Sequence, residues 1–413
     1  MRSLLGIFLL VCALFRCSIF AAPPERLTAS GIVVDDSTKL PIENATVMVH
    51  SAGVKSGYDQ FCPTCYVDCG KRATTDAKGA FTIPGLSPDL LFNFLIVREG
   101  YSAIFVKRVD PAKGAAETAA LKNRKPPENP KQIVRGKILD AKGQPVRDAL
   151  ISQQGIIFDM GRAFGDRDWI DPIAVSNGAG EFEMAYMKPA KAMILEVTPR
   201  GMAPKLVALP TGSETPHNVT VTDGAVIRGR LVDIKGKPVA GAEFVLSTHI
   251  RMAGRFFQDI RMGTNENGEF VVTNVPPGRV WDLFPTMDSL APKGLTAPLA
   301  HLATRDDGEE IRMPDTVARA GYSLKGKIML ADGAAIPPGM RVNLFADGMP
   351  DRQSVLLGPD GLYEFRGLAN RIYTLAPAVK GYQQKDSESQ LELLIDGDRK
   401  DLNVTLYPVP ARN

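Results

Sequence analysis

The sequence predicts an all-β protein, a tandem array of four small seven-stranded β-sandwiches of Greek-key type behind an N-terminal signal peptide. Three observations predict it. First, one opening recurs four times, as Gly31-Ile32-Val33-Val34-Asp35, Gly136-Lys137-Ile138-Leu139-Asp140, Gly229-Arg230-Leu231-Val232-Asp233 and Gly326-Lys327-Ile328-Met329-Leu330, at spacings of 105, 93 and 97 residues. That period is one small domain per copy. Second, each opening is followed by a turn, a Gly and an aromatic: Thr75-Asp76-Ala77-Lys78-Gly79-Ala80-Phe81, Asn177-Gly178-Ala179-Gly180-Glu181-Phe182, Asn265-Glu266-Asn267-Gly268-Glu269-Phe270 and Asp360-Gly361-Leu362-Tyr363-Glu364-Phe365. Third, the apolar segments, such as Val47 to His50, Ala192 to Val197, Ala242 to Leu246 and Asn403 to Leu406, are short and β-branched or alternating, and no window carries a helical stripe over three turns.

The chain begins with Arg2, an apolar run from Leu4 to Phe15 and small Ala21-Ala22, so residues 1–22 read as a secretory signal peptide. A cut there removes Cys12 and Cys17 and leaves Cys62, Cys65 and Cys69. The first sandwich then spans residues 25–121 and carries a Cys-rich insertion. Lys122 to Lys131, charged and rich in proline, predicts a stiff spacer (122–131) that holds the first domain off the rest. The second, third and fourth sandwiches follow at 132–223, 224–316 and 321–408. In copies two and three, Asp140-Ala141-Lys142-Gly143-Gln144-Pro145 and Asp233-Ile234-Lys235-Gly236-Lys237-Pro238 share one turn recipe. Asp bonds its own downstream amides, Gly takes a positive φ, and Pro withholds a donor at an edge. The fourth copy is the most divergent, because its Asp332-Gly333 turn has slipped from that pattern. Phe81, Phe182, Phe270 and Phe365 are assigned to the cores.

Composition limits the function. Lys and Arg number 49 against 46 Asp and Glu, for a net charge of +3, so no basic surface awaits a phosphate backbone and nucleic acid is not a partner. Nothing after the leader is long and apolar enough to cross a bilayer. The four histidines, His50, His217, His249 and His301, lie in separate segments without metallopeptidase spacing, and there is no Gly-x-Ser-x-Gly elbow or phosphate loop. No enzyme and no cofactor is indicated.

Chemistry concentrates instead in Phe61-Cys62-Pro63-Thr64-Cys65-Tyr66-Val67-Asp68-Cys69-Gly70. Three cysteines this close, in an oxidising compartment, read as a local disulfide. Two alternatives stand beside it: a Cys-Pro-x-Cys redox site at Cys62 and Cys65, and a metal site made of Cys62, Cys65 and Cys69 with His50 or Asp68. A second candidate region is the slot between the early and late hairpins of each copy, at 51–73, 152–174, 247–264 and 347–357. Copy two carries Phe158, Arg162, Phe164, Arg167 and Trp169 there, and copy three carries Arg251, Arg255, Phe256, Phe257 and Arg261. Rings flanked by guanidinium groups suit stacking on a sugar or docking on a protein, and equally suit capping the sandwich or packing on a neighbouring domain.

Taken in order, the Gly-x-x-x-Asp opening, Gly-x-Pro-x-x-x-Ala, Thr-Asp-x-x-Gly-x-Phe and the Gly100-Tyr101 and Gly381-Tyr382 pairs resemble tandem carboxypeptidase regulatory-like domains. These belong to the prealbumin-like (transthyretin-like) sandwiches, grouped with the carbohydrate-binding-like folds. The resemblance implies the fold, a non-peptidase role as a spacer, adhesive or polysaccharide-binding module, and a disulfide between Cys65 and Cys69, because similar domains hold a Cys-x-x-x-Cys pair before Gly-Lys. Lys137, Glu196 and Asn218 occupy strand positions that resemble the isopeptide triad of related pilin sandwiches, but alternation turns Lys137 away from the face of Val134 and Ile138. The expected protein is an exported, non-enzymatic binding or scaffold protein, secreted or held in the periplasm or cell envelope, with polysaccharide or an envelope protein as its partner.

Overall fold

The structure is a computed structural model that describes residues 26–56, 61, 66, 68–114, 117–164, 170–248, 260–349, 351–385 and 391–409. The signal-peptide assignment, residues 1–22, lies outside the described residues. The chain is all-β: eight sheets are described, two to a repeat, and they form four sandwiches in series. Seven strands make up the first repeat, from Leu27–Asp35 to Glu117–Leu121, and later repeats add short ones such as Gly161–Phe164 and Leu295–Thr296.

One plan recurs. The opening strands are Leu27–Asp35, Ile133–Leu139, Ala225–Asp233 and Tyr322–Leu330. Each pairs antiparallel with the strand carrying the aromatic landmark and parallel with the strand that closes the repeat. A parallel neighbour needs a crossover, so the closing strand returns across the sandwich after the second sheet is made. That second sheet is built on Thr46–Val54, Leu150–Phe158, Glu243–Ser247 and Arg341–Ala346, each lying between an edge strand and a central strand. Each repeat encloses its own apolar cluster, with Phe92 and Phe94, Met193 and Leu195, Trp281 and Leu283, or Tyr373 and Leu375 buried from the central strand.

The repeated sequence landmarks now have physical causes. Phe182 lies directly opposite Gly136 and Phe270 opposite Gly229. A Cβ added at Gly136 would sit 2.2 Å from the Phe182 ring, and one at Gly229 would sit 2.3 Å from the Phe270 ring, so the ring lies across the bare strand position. In the fourth repeat the register places Tyr363, not Phe365, opposite Gly326. Alternation turns both rings inward, which is why Phe365 reads as the equivalent residue, and the Tyr363 hydroxyl finds its acceptor in the Leu402 carbonyl at 2.6 Å. The glycine before each aromatic strand is needed twice over. Gly180 has φ +78°, and a Cβ there would stand 2.4 Å from the Ile138 carbonyl oxygen; Gly268 repeats this at 2.3 Å from Leu231.

Asp140 Oδ1 accepts from the amides of Lys142 and Gln144 at 2.8 Å, and Asp233 Oδ1 from those of Lys235 and Lys237 at 2.8 and 2.9 Å, as the turn recipe requires. The Gly-Tyr landmark completes the same corner. Tyr101 donates to Asp35 at 3.1 Å and Tyr382 to Asp332 at 2.8 Å, so the slipped turn of the fourth repeat keeps its tether.

The connection 122–131 does not hold the first repeat off the second, as the stiff spacer that its composition predicts would do. Lys122 accepts from the Ser102 amide and the Arg124 amide donates to Gly100, both at 2.8 Å, so the segment is stitched to the first repeat. The Arg124 side chain then crosses to the second repeat, where it bonds Asp171 through Nε (3.0 Å) and Nη2 (2.8 Å) and Glu183 through Nη1 (2.7 Å). Desolvation opposes the charge on Arg124, but these bonds outweigh it and the net effect raises its pKa. Next to this clasp, Leu95 and Val97 of the first repeat are buried together with Leu150 and Ile173 of the second. Proline-rich composition describes the backbone of such a segment and says nothing of a guanidinium with a carboxylate to reach. Farther on, Asn274 Nδ2 donates to the Gly201 and Asp223 carbonyls at 2.8 and 2.9 Å, tying repeat three to repeat two. A short helix, Met287–Leu290, leaves repeat three and meets repeat four.

Candidate functional site

The slots singled out in the sequence occupy one place in the architecture. Each is the excursion between the second strand and the edge strand that pairs with it: 55–71 joins Thr46–Val54 to Arg72–Thr74, and 347–351 joins Arg341–Ala346 to Arg352–Leu356. In repeat two the strands Gly161–Phe164 and Ile173–Val175 both pair with Leu150–Phe158, so the excursion begins as a hairpin and rejoins the same strand. In repeat three it separates Glu243–Ser247 from Ile260–Gly263. A paired strand at both ends holds the excursion while its length and composition vary, which is how sandwiches present binding residues.

In repeat one the described part of the insertion is anchored by Asp68, whose side chain is fully buried. Arg26 Nη1 approaches Asp68 Oδ1 at 3.0 Å, Lys71 Nζ at 2.7 Å, and the Ser87 amide donates to Oδ2 at 3.0 Å. Charge-assisted bonds from two cations occupy this carboxylate, so a metal would have to displace both. Phe61 lies against Gly53, with the Arg108 guanidinium 5.6 Å from its ring centroid. Cys69 packs against the core of the first repeat, and burial pushes its thiol up to about 11. At neutral pH the protonated form dominates, and this is the wrong form for a nucleophile or a metal ligand. His50 sets its ring edge-on to Phe105 at 5.1 Å. Cys62 and Cys65 lie outside the described residues. Among the described residues no cluster of three or more His, Cys, Asp or Glu is placed to hold a metal ion.

The aromatic and cationic candidates divide in the same way. Phe158 packs against the core of repeat two with its ring 6.4 Å from that of Tyr186, so it caps the sandwich rather than facing out. Arg162 is exposed in the hairpin, and Phe164 ends the strand Gly161–Phe164. Arg261 pairs with Glu243. Arg167, Trp169, Arg251, Arg255, Phe256, Phe257 and His249 lie outside the described residues, as does the side chain of Phe164. Of the remaining histidines, His301 Nδ1 meets Asp282 Oδ1 at 2.6 Å on the surface. The three residues resembling an isopeptide triad do not converge. Lys137 is directed to Glu181 at 3.6 Å, and Glu196 accepts from Gln154 at 2.9 Å in the other sheet.

Two sets of residues escaped the sequence reading. One is the Arg124, Asp171 and Glu183 cluster, whose members are 47 and 59 positions apart and carry no local signature. The other is a buried hydroxyl in three repeats. Thr75, Ser176 and Thr264 each accept an amide (Ala45, Ala149, Ala242) and donate to a carbonyl (Ile42, Val146, Val239), which closes the corner beneath the first hairpin. A legible signal existed, a Ser or Thr directly before each Asp/Asn-x-x-Gly turn, with Leu357 in its place in repeat four.

No protein-family model matches the chain, and no curated protein does. Among solved structures it is similar to a streptococcal ancillary pilin (14% identity, TM-score 0.23, covering 68% of this chain and 100% of that one). It is also similar to the Bacillus anthracis TIE protein (11%, 0.21, 94% and 76%) and to BcpA, the major pilin subunit of Bacillus cereus (13%, 0.19, 72% and 100%). Overlaps this loose at such identities carry neither an activity nor a partner to this chain.

Proposed function

We propose that the chain is an exported, non-enzymatic binding or scaffold protein of the cell envelope or extracellular space, made of carboxypeptidase regulatory-like modules. The observation that carries this reading is the contrast between a constant frame and variable excursions, four times over. The same strands, glycines and buried rings recur in each copy, while the segment between second strand and edge strand changes in length and chemistry. Proteins that recognise partners place the variable residues on such excursions and leave the sandwich unchanged. In this reading the domains run 25–121, 132–223, 224–316 and 321–408, and residues 1–22 direct export. Phe164, Arg167 and Trp169 of copy two, with Arg255, Phe256 and Phe257 of copy three, contact polysaccharide or an envelope protein. The Asp68 carboxylate, occupied by Arg26 and Lys71, disfavours a metal site in the cysteine insertion, and the Cys65–Cys69 disulfide staple is the structural role we assign to it from the resemblance and the oxidising compartment.

The experiment is a binding screen of the mature chain against cell-envelope polysaccharides and envelope protein extracts, repeated with Trp169→Ala/Phe256→Ala. Loss of two aromatic anchors weakens binding by tenfold or more with the melting temperature unchanged. Undiminished binding by the double variant removes these loops from the site. Alkylation with mass measurement on the same preparation, before and after reduction, checks the staple: thiols released only by a chelator, with no disulfide, would return the insertion to metal chemistry.

A further inference from the structure

The chain contains two Asn-Gly pairs, Asn177-Gly178 and Asn267-Gly268, and both lie in a turn that leads into an aromatic strand. Such a pair can close on itself, because no Cβ shields the glycine nitrogen from the side-chain amide carbon. The fold treats the two pairs differently. In repeat two Asn177 opens the turn, and its Oδ1 accepts the Ala179 amide at 3.0 Å and the Glu181 amide at 2.9 Å. Reaching the amide two residues on folds the side chain back over the intervening Gly178 nitrogen. The same two donors are placed where negative charge develops when a nucleophile adds to Asn177 Cγ. The Gly178 amide has no acceptor among the described residues, the residue is exposed, and its Cβ position meets open space. Nδ2, the group that leaves, donates across the joint to Glu99 Oε1 of repeat one at 3.3 Å. In repeat three the glycine closes the turn instead. Gly268 donates its amide to the Asn265 carbonyl at 2.9 Å and holds φ +73°, so its nitrogen is committed.

We propose that Asn177 is a self-modifying site, at which the Gly178 nitrogen converts the side-chain amide to an acid and so marks the age of the joint between repeats one and two. The Gly178 N–H gives its proton to solvent, a bond forms from that nitrogen to Asn177 Cγ, and the Cγ–Nδ2 bond breaks. The departing nitrogen takes its proton from solvent and leaves as ammonia. Water then opens the cyclic imide at either carbonyl, so the sum is water in and ammonia out. One opening gives aspartate at 177; the other gives an isoaspartyl link, in which the main chain runs through the former side chain. Aspartate suits the turn, since Asp76 occupies the same place in repeat one and accepts the Lys78 and Ala80 amides at 2.9 Å. Either product removes the donor that reaches Glu99. Aspartate sets a second carboxylate there, while the isoaspartyl link takes the Asn177 carbonyl out of the main chain, where it accepts the Gly180 amide at 2.9 Å.

The test is peptide mapping of the full chain after incubation in heavy-oxygen water at mildly alkaline pH, once folded and once in denaturant. In the folded chain the label enters at residue 177, in aspartyl and isoaspartyl forms. Conversion there outpaces that at Asn267 by about tenfold, the population factor for freeing a hydrogen-bonded turn amide. In denaturant the two pairs convert at like rates, because only the fold tells them apart. Gly178→Ala, whose added Cβ meets open space, slows conversion at 177 and leaves the fold intact. Amide exchange separates the products: the Gly180 amide stays protected in Asn177→Asp and loses protection in the isoaspartyl chain. No label at 177, or folded-state conversion at Asn267 that equals or exceeds it, overturns the proposal. A preference for 177 that persists undiminished in denaturant overturns it as well, since that preference would belong to the sequence and not to the turn.

Discussion

Arg124 is placed to fasten the first two repeats together, and Arg124→Ala measures how firmly. The substitution deletes bonds from Nε and Nη2 to Asp171 and from Nη1 to Glu183. Breaking one side of a buried ion pair costs about 3–5 kcal/mol, since the other charge is left in a poor dielectric. Two features reduce this. Asp171 keeps the Ala185 amide at 2.8 Å, and Glu183 keeps Arg135 at 2.7 Å and is partly solvated. About 3 kcal/mol is the resulting expectation for opening the joint, with Arg124→Lys intermediate because an ammonium cannot span both acceptors. The assay is hydrogen exchange across 122–131, where the Arg124 amide donates to Gly100. At 1.4 kcal/mol per tenfold, exchange there accelerates roughly a hundredfold, while the Phe92 and Phe94 strand is unaffected. Exchange within threefold of wild type would refute the clasp and restore the segment to a stiff spacer between the two repeats.

Two further outcomes follow from the frame. Gly180→Ala forces a side chain into a left-handed conformation 2.4 Å from the Ile138 carbonyl, so it lowers stability by about 2–3 kcal/mol in denaturant unfolding, whereas Gly201→Ala, with open space around its Cβ position, costs less. Thr264→Val leaves the Ala242 amide and the Val239 carbonyl without their buried partner, at about 1–3 kcal/mol. A midpoint equal to wild type for either Gly180→Ala or Thr264→Val would mean that the corner relaxes around the change.

The frame was legible in the sequence because its constraints are local. A glycine that must take positive φ, an Asp that bonds amides two and four residues on, and an aromatic that alternates into a core each leave a mark within a few positions. Legibility fails where partners are distant. The pairing of Tyr363 with Gly326 could not be told from that of Phe365, because positions two apart share one face. Helix Met287–Leu290 is a single turn, too short to write a period into the sequence, so the joint it makes was invisible. The excursions were legible as a common slot from their position between landmarks. The local conformation of the residues they carry was not, since no alternation or turn rule governs a segment outside the ladder.

The placement of those excursions has a consequence for engineering. Their two ends are already brought side by side by strand pairing, so a new segment closes a gap that the sheet has fixed in advance. The excursion of repeat one is roughly threefold longer than that of repeat four, a difference worth only about 1 kcal/mol in closure entropy. Foreign peptides grafted between Val54 and Arg72, or between Ala346 and Arg352, should therefore be tolerated over a wide range of lengths. Each of these two gaps is a port whose width the sheet has already set.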